Sequence, residues 1–158
     1  MCSLLSIGVV NIMVAISRSA LVEYSAQQMF DLINDIASYP QFMPGCLATD
    51  IISQTEEVVE ARLTLGKSGF QQSFVTRNIL TPPKMMVMHF VEGPFKVFEG
   101  RWQFDVLADN ACKVSLHLEF EFASRMLGMT LGSRFEKNAN RQVDALCERA
   151  EVIYAKQA

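Results

Sequence analysis

The sequence predicts a single α+β domain in which an antiparallel β-sheet is covered on one face by a long C-terminal helix. Three observations predict it. Six strand-like segments follow one helix without α/β alternation, two of those strands alternate apolar and polar residues, and the C-terminal segment carries a helical apolar stripe. The 158 residues, half of them apolar, are the size of one domain that folds without metal or disulfide.

The N-terminal segment is apolar but is not typical of a secretion signal or a membrane span. No Lys or Arg precedes the apolar run of residues 1–15, and Asn11 interrupts it. The run is also shorter than the about 20 residues that a spanning helix needs. Three interpretations stay open: an extension upstream of a true start at Met13, an added strand or surface segment, and a membrane-associated or signal-like segment. We predict an N-terminal extension over residues 1–15 and one domain over residues 16–158.

The first predicted elements of the domain are a strand over residues 16–23 and a helix that begins at Ser25. Gln28 stands three residues after Ser25, which is the spacing of a capping box, and apolar residues then recur at helical spacing. The helix should weaken before Pro40, because a residue that precedes proline avoids the helical region. A compact turn or a short second helix is predicted from Pro40 to Gly45.

Six further strands are predicted, separated by short turn signals that join antiparallel neighbours. They cover residues 46–53, 58–66, 70–80, 85–92, 97–107 and 112–122. The last two strands alternate apolar and polar residues, and their apolar members are Phe98, Trp102, Phe104, Val106, Val114, Leu116, Leu118, Phe120 and Phe122. A sheet with one apolar and one polar face is covered on one side only.

A long helix over residues 124–154 is predicted to cover the apolar face. Its apolar residues fall near one stripe, which consists of Leu127, Leu131, Phe135, Ala139, Leu146, Ala150 and Ile153. At 1.5 Å per residue this helix would be about 45 Å long, which is enough to cross a whole sheet. Gly128 and Gly132 predict bending or a close backbone approach in its first turns.

The charge and the cysteine content argue against several classes of protein. A net charge of −3 with an apolar half is not typical of a disordered chain or of a uniformly basic nucleic-acid binder. No C-x-x-C pair exists, so zinc, iron–sulfur and thioredoxin-type sites are poorly supported. Isolated cysteines are typical of a reducing compartment, which predicts a cytoplasmic protein; they are Cys2, Cys46, Cys112 and Cys147.

Three motifs of the sequence resemble those of a known family. They are SYPQFMPGC at residues 38–46, VEGPFK at 91–96 with GRWQF at 100–104, and LEFEF at 118–122. Over residues 16–155 the chain resembles the START-like, polyketide cyclase-type group that contains the coenzyme Q-binding proteins, and it is most similar to the bacterial members called ribosome-association toxins. The resemblance implies a helix-grip fold, in which a curved antiparallel sheet of about seven strands wraps around the C-terminal helix. It also implies a cavity between them for an apolar ligand.

The expected function is therefore non-catalytic binding of an apolar ligand, ubiquinone or a similar isoprenoid, by a carrier or chaperone that serves respiration. Methionines adapt to varied apolar ligands, and the sequence places several in the predicted interior: Met85, Met86, Met88, Met126 and Met129. The residues predicted to line the cavity are Tyr39, Phe42, Met43, Phe74, Met88, Phe90, Phe95, Phe98, Arg101, Trp102, Phe104, Leu127 and Leu131. Ordinary core packing is the alternative for each of them.

A quinone head would need a hydrogen-bond donor, and the motifs place Tyr39, Arg101 and Trp102 nearest. No catalytic constellation accompanies them. His117 is predicted on the polar face, and His89, in an apolar strand, could reach a cavity without any identifiable acid–base partner. We therefore predict a protein that is not an enzyme, holds no metal and needs no cofactor. Ubiquinone, where it binds, would be a bound ligand and not a cofactor. A polyketide cyclase-like enzyme is a distant third alternative.

Charge is segregated along the chain, which bears on partners. Seven acidic residues and no Lys or Arg lie between residues 19 and 61. Arg134, Lys137 and Arg141 then follow at positions i, i+3 and i+7, so one helix face, here called the basic face, carries them together. The positive charge of this face suits contact with phosphate groups. The alternative is that these three residues belong to an ordinary solvent-exposed helix surface. With the resemblance, it predicts the alternative function, a toxin that binds the large ribosomal subunit and blocks joining with the small one. DNA is not an expected partner, whereas a quinone carrier would contact a membrane transiently.

Overall fold

The computed structural model describes residues 13–67 and 70–155. The elements follow the predicted order of a strand, a helix, six strands and a C-terminal helical segment. Their bounds are β1 (Val14–Val22), α1 (Ala26–Asn34), a 3₁₀ helix (Ile36–Gln41), β2 (Cys46–Gln54), β3 (Val58–Lys67), β4 (Phe70–Thr81), β5 (Met85–Glu92), β6 (Phe95–Ala108), β7 (Ala111–Phe122), α2 (Arg125–Asn140) and α3 (Gln142–Tyr154).

The strands form one antiparallel sheet in the order β1-β7-β6-β5-β4-β3-β2. Since β1 and β2 are the two edges, α1 and the 3₁₀ helix carry the chain from one edge of the sheet to the other. Helix α1 packs on β6, β7 and α3, and α2 packs on β1 and β7. All three helices therefore cover the concave face of a curved sheet, and the predicted helix-grip arrangement is confirmed.

The N-terminal elements follow the local signals closely. The Ser25 hydroxyl accepts a hydrogen bond from the Gln28 amide (3.1 Å), and the Gln28 side chain accepts one from the Ser25 amide (2.9 Å), so the capping box is present. The 3₁₀ helix starts at Ile36 and contains Pro40, earlier than the turn that was predicted to begin at Pro40. Strand β1 starts at Val14, two residues before the predicted strand. The remainder of the predicted extension, residues 1–12, lies outside the described residues.

The prediction of one uninterrupted C-terminal helix is wrong at a single residue, because Arg141 separates α2 from α3. The Arg141 amide donates to the carbonyl of Asn138 (3.1 Å), three residues back, and this tightens the turn. The side-chain nitrogen of Asn140 donates to the Glu136 carbonyl (3.0 Å), and its side-chain oxygen accepts from Arg18 Nε of β1 (3.0 Å). Asparagine has a low helix propensity. Helix α2 therefore ends at Asn140, the residue whose side chain is hydrogen-bonded to the edge strand β1.

Two further expectations about apolar residues are corrected. Val106 is 66% exposed, because the pairing of β6 with β7 shifts register between Val106 and Ala108. Met126 and Met129 are 77% and 78% exposed, so they do not join the methionines of β5. They fall on the outward face of α2 because the stripe on the opposite face, which contains Phe135, packs on the sheet.

The buried residues form two clusters that meet beneath the helices. One lies under α1 and α3 and contains Trp102 and Phe104, each 1% exposed. The other is largely aromatic, lies under α2 and contains Phe74, Phe95, Phe98 and Phe120. The inward residues of β7 are buried as predicted, which are Val114, Leu116, Leu118 and Phe120, with Phe122 partly buried.

Candidate functional site

A cavity of about 340 Å³, here called the outer cavity, opens between α2, the sheet and the loop that contains Pro44. This volume falls in the range of small-molecule sites, about 300–1,000 Å³. Its apolar walls are formed by Pro44, Leu65, Phe70, Phe74, Pro94, Phe95, Phe122, Leu131, Phe135 and Ala139. Its polar residues are Gln72, Thr130, Ser133, Arg134, Asn138 and Gln142. The cavity is thus suited to an apolar molecule with a polar rim on the helix side.

Aromatic rings stiffen the wall of the outer cavity. The Phe135 ring of α2 meets the Phe120 ring edge to face at 4.6 Å and the Phe95 ring at 5.1 Å. Phe95 also stacks on Phe122 (5.0 Å) and lies 5.5 Å from Phe74. Such pairs each contribute about 0.5–1.5 kcal/mol beyond their buried area, so the wall is held in shape when the cavity is empty.

A second, deeper space of about 50 Å³, here called the inner cavity, adjoins the first. The two share the wall residues Pro44, Leu65, Phe74, Phe135 and Gln142. The other walls of the inner cavity are Ile36, Tyr39, Met43, Cys46, Leu63, Thr76, Asn78, Met88, Phe98, Trp102 and Leu118. The cavity pair therefore runs from the rim at α2 down to the junction of the two core clusters.

Two buried polar side chains of β4 stand in the largely apolar wall of the inner cavity. Thr76 and Asn78 are each 3% exposed, and the Thr76 hydroxyl donates to the Asn78 carboxamide oxygen at 2.9 Å. The sequence interpretation missed both. The available signal was their alternation with Phe74 and Leu80 along β4, which places all four on the concave face.

Eight of the thirteen residues predicted for the ligand site line one cavity or both. Tyr39, Met43, Met88, Phe98 and Trp102 line the inner cavity. Phe95 and Leu131 line the outer cavity, and Phe74 lines both. These residues come from the 3₁₀ helix and the loop after it, three strands and α2, so the fold rather than the local sequence brings them together.

The other five predicted residues lie away from both cavities. Four are apolar: Phe42 lies under the Arg149 guanidinium at 5.3 Å, Phe104 packs edge to face on Phe30 at 6.1 Å, and Phe90 and Leu127 are half-buried. The fifth, Arg101, is exposed on the convex face, because its neighbour Trp102 points to the concave face and successive strand residues alternate.

Two of the three predicted head-group donors do not offer a hydrogen bond to the cavities. The Tyr39 hydroxyl donates to the Ile33 carbonyl, and burial, followed by the charges of Cys46 and Asp35, raises the pKa of Tyr39 far above its usual range. Arg101 faces solvent on the opposite side of the sheet. Of the three, only Trp102 presents its side chain to the inner cavity without a hydrogen bond among the described residues.

The described walls of both cavities contain no His, Asp, Glu or Lys. His89 pairs with Glu99 (3.5 Å) and His117 with Glu119 (3.4 Å), and nearly half of each imidazole is exposed. His89 therefore does not reach the cavity. Burial raises the pKa of the Cys46 thiol to about 11, only partly opposed by its hydrogen bond to the Ala48 carbonyl, so this thiol is a poor nucleophile at neutral pH.

Among the described residues, no group of three or more His, Cys, Asp or Glu is placed to hold a metal ion. Within the same part of the chain, no helix is both long and apolar enough to cross a membrane.

The three residues of the predicted basic face lie near the end of α2. Arg134, Lys137 and Arg141 are all exposed, with the first two on α2 and the third in the turn that follows it. Arg134 also contributes to the rim of the outer cavity. One helix therefore carries both the cavity wall and the basic face.

Comparison with known proteins places this arrangement in a family. Residues 22–147 match the family described as polyketide cyclase/dehydrase and lipid transport. The chain belongs to this family. The matched range begins at the end of β1 and includes every further strand, α2 and the first part of α3.

The curated relatives include proteins named ribosome association toxin and a protein named coenzyme Q-binding protein. A Pseudomonas aeruginosa protein named ribosome association toxin RatA is 42% identical over 139 residues, which cover 88% of this chain and 96% of that protein. The Escherichia coli protein of the same name is 41% identical over 91% of each chain. A Drosophila melanogaster mitochondrial protein named coenzyme Q-binding protein is 26% identical over 85% of this chain and 54% of its own length.

The solved structures agree on the fold. The chain superposes on the aromatase/cyclase ZhuI of a Streptomyces species with a TM-score of 0.76, covering 91% of this chain and 98% of that one. The two sequences are only 17% identical, so this likeness concerns the fold alone.

Proposed function

We propose that this protein associates with the large ribosomal subunit and hinders its joining with the small one. The observation that carries the proposal is the 42% identity, along nearly the full length, with a protein named ribosome association toxin. Ribosome association therefore takes precedence over quinone binding, since the relative named coenzyme Q-binding protein is only 26% identical. The role is non-catalytic and belongs in the cytoplasm.

The basic face is the surface best suited to this role. Its three cations are exposed on one side of α2 and the following turn, whereas the chain as a whole carries a net charge of −3. A local cationic patch on an acidic protein orients it toward the phosphates of ribosomal RNA. The contact is non-specific in base sequence, and its affinity falls with salt as counterions are released.

The proposal is tested by sucrose-gradient profiles of cells that overproduce the protein. The unsubstituted chain should raise free subunits at the expense of joined ribosomes. The variant Arg134→Glu, Lys137→Glu, Arg141→Glu should lose this effect. A control with the same charge change, Arg77→Glu, Arg101→Glu, Lys113→Glu, alters exposed residues of three strands and should keep it. Unchanged profiles with the unsubstituted chain, at confirmed expression, would contradict the proposal.

As a second function, we propose that the two cavities hold an apolar molecule, ubiquinone or a similar isoprenoid. The supporting observation is the aromatic outer cavity of about 340 Å³. Burying one CH₂ contributes about 0.8 kcal/mol, so two five-carbon units could offset an association cost of about 8 kcal/mol. No catalytic group is needed for this binding. The exposed Met126 and Met129 of α2 offer an apolar surface for the transient membrane contact that a carrier would make.

This second function is tested by extracting the protein, purified without detergent, and identifying its lipids by mass spectrometry. A stoichiometric isoprenoid quinone supports the proposal. Absence of any lipid, together with no change in Trp102 fluorescence on adding a short-chain quinone, contradicts it.

A further inference from the structure

We propose that Asn78 is the hydrogen-bond donor for the ligand of the inner cavity, and that this ligand is an apolar molecule with an uncharged carbonyl group at one end. The inference rests on the proposed binding of an apolar molecule. It assigns that molecule's carbonyl group to the inner cavity and its apolar part to the outer one.

The hydrogen bonding of Thr76 and Asn78 leaves donors unused. The Thr76 hydroxyl donates to the Asn78 oxygen at 2.9 Å, so the acceptor end of the carboxamide is occupied and its orientation is fixed. No side-chain or backbone group of the described residues accepts from the Asn78 nitrogen. Asn78 is 3% exposed and lines the inner cavity, so its two N–H donors are the groups that this residue can offer to a ligand there.

Leaving such donors unused has a cost. A buried polar group without a partner costs about 1–3 kcal/mol, and native proteins rarely retain one without a partner. The space of about 50 Å³ accommodates a few water molecules or one small polar group. A carbonyl oxygen in this space can accept hydrogen bonds from Asn78, and the apolar tail of the same molecule adds buried apolar area.

The surroundings select against a charged head. The residues that pair with Asn78 on the flanking strands are apolar: Met88 of β5, which lines the inner cavity, and the buried Val59 of β3. Among the described residues that line the two cavities, the one cation is Arg134, at the rim of the outer cavity. A carboxylate or phosphate would therefore remain at the rim, whereas a neutral carbonyl can reach Asn78 between Phe74 and Phe135.

The test compares two molecules that share a decyl tail on a six-membered ring, only one of which carries oxygen groups on that ring. Decylubiquinone carries a quinone head on a ten-carbon tail, and decylbenzene carries the same tail on a ring without oxygen. Equilibrium partition of each onto the protein is measured for the unsubstituted chain, for Asn78→Asp and Asn78→Leu, and for Asn110→Asp. The last variant makes the same chemical change at an exposed turn between β6 and β7.

We expect both Asn78 variants to bind decylubiquinone about tenfold more weakly, which is about 1.4 kcal/mol, while decylbenzene changes less than about threefold. Asn110→Asp should bind both as the unsubstituted chain does. Equal losses for the two molecules, or no loss, would overturn the role of Asn78 and leave ligand binding standing. If the unsubstituted chain binds neither molecule, the proposed ligand function fails and this inference with it.

A measurement on the unsubstituted protein covers the case in which the variants do not fold. In ¹⁵N-labelled protein, the side-chain amide signals of Asn78 should shift when decylubiquinone is added and stay in place with decylbenzene. Signals that respond equally to both, or to neither, overturn the proposal.

Discussion

Gly45 lies directly against the side chain of Asn138, so that a Cβ added at Gly45 would stand 2.3 Å from the Asn138 amide nitrogen. Gly45 also has a φ of +75°, and its carbonyl accepts from the Gly66 amide at 3.1 Å. The loop after the 3₁₀ helix is thus fixed between β3 and α2. Because Pro44 and Asn138 both line the outer cavity, this contact sets the position of the rim.

Gly45→Ala should therefore destabilise the protein. Positive φ costs an alanine about 1–2 kcal/mol, and the added methyl group must also displace Asn138. We expect urea denaturation to show a loss of at least about 1.5 kcal/mol. The control Gly128→Ala, where the added Cβ meets no atom closer than the Phe122 Cβ at 3.8 Å, should instead gain up to about 1 kcal/mol of helix stability. Equal effects of the two changes would contradict this account of Gly45.

Phe135→Ala should lower stability and join the two cavities. The ring contacts Phe120 at 4.6 Å and belongs to the walls of both cavities, but it is only half-buried. We expect a loss of about 2–3 kcal/mol in urea denaturation, somewhat below the range for a fully buried phenylalanine. Met129→Ala, at a position 78% exposed on the same helix, should stay within about 0.5 kcal/mol. A loss below 1 kcal/mol at Phe135 would indicate that α2 does not pack as described.

The buried thiols should make stability fall in alkaline solution. Burial raises the pKa of Cys46 and of Cys112 from the usual 9.0 to about 11 in the folded state, for Cys112 with smaller contributions from Cys147 and Asp105. The unfolded chain thus releases these protons first, so the stabilisation is complete below pH 9 and is lost as the pH rises to about 11. Urea midpoints across this range should decrease, and the double variant Cys46→Ala, Cys112→Ala should show a flatter dependence. An identical slope in the double variant would exclude the thiols as the cause.

Gly100→Ala should narrow the inner cavity without unfolding the protein. The added Cβ would lie 2.4 Å from the terminal methyl of Met88 and 3.2 Å from Leu118 Cδ1. The Met88 side chain is flexible and lines the inner cavity, so it can move into that space. We expect a stability loss of about 1–3 kcal/mol and decylubiquinone binding weakened several-fold. Unchanged binding would mean that the ligand does not use the inner cavity.

The sequence predicts most of the fold because the decisive signals are local. The Ser25 capping box, the turn residues and the two-residue alternation of β6 and β7 each act within a few residues. The break at Arg141 escapes such reasoning, because it depends on the contact between Asn140 and Arg18, 122 residues apart. The exposure of Met126 agrees with the apolar stripe that helical spacing predicts, since Met126 does not belong to it; residue type alone suggested an interior position.

The candidate site is predicted less completely, for a physical reason. A search for apolar residues on inward faces finds Phe74 and Trp102 but passes over Asn78, whose polarity suggests a surface position. Arg101 was selected by its place in a motif, and strand alternation directs it to the other side of the sheet. Polar residues in a cavity are recognised only when the neighbouring strands are known.

The most direct test of the central claim is sedimentation of the purified protein with isolated ribosomal subunits. We predict that it pellets with the large subunit at near-unit stoichiometry, remains in solution with the small one, and reduces joining when both are mixed. Binding should weaken steeply with salt and be lost on reversal of Arg134, Lys137 and Arg141. Failure to pellet with the large subunit at low salt, in a protein shown to be folded, would contradict the claim.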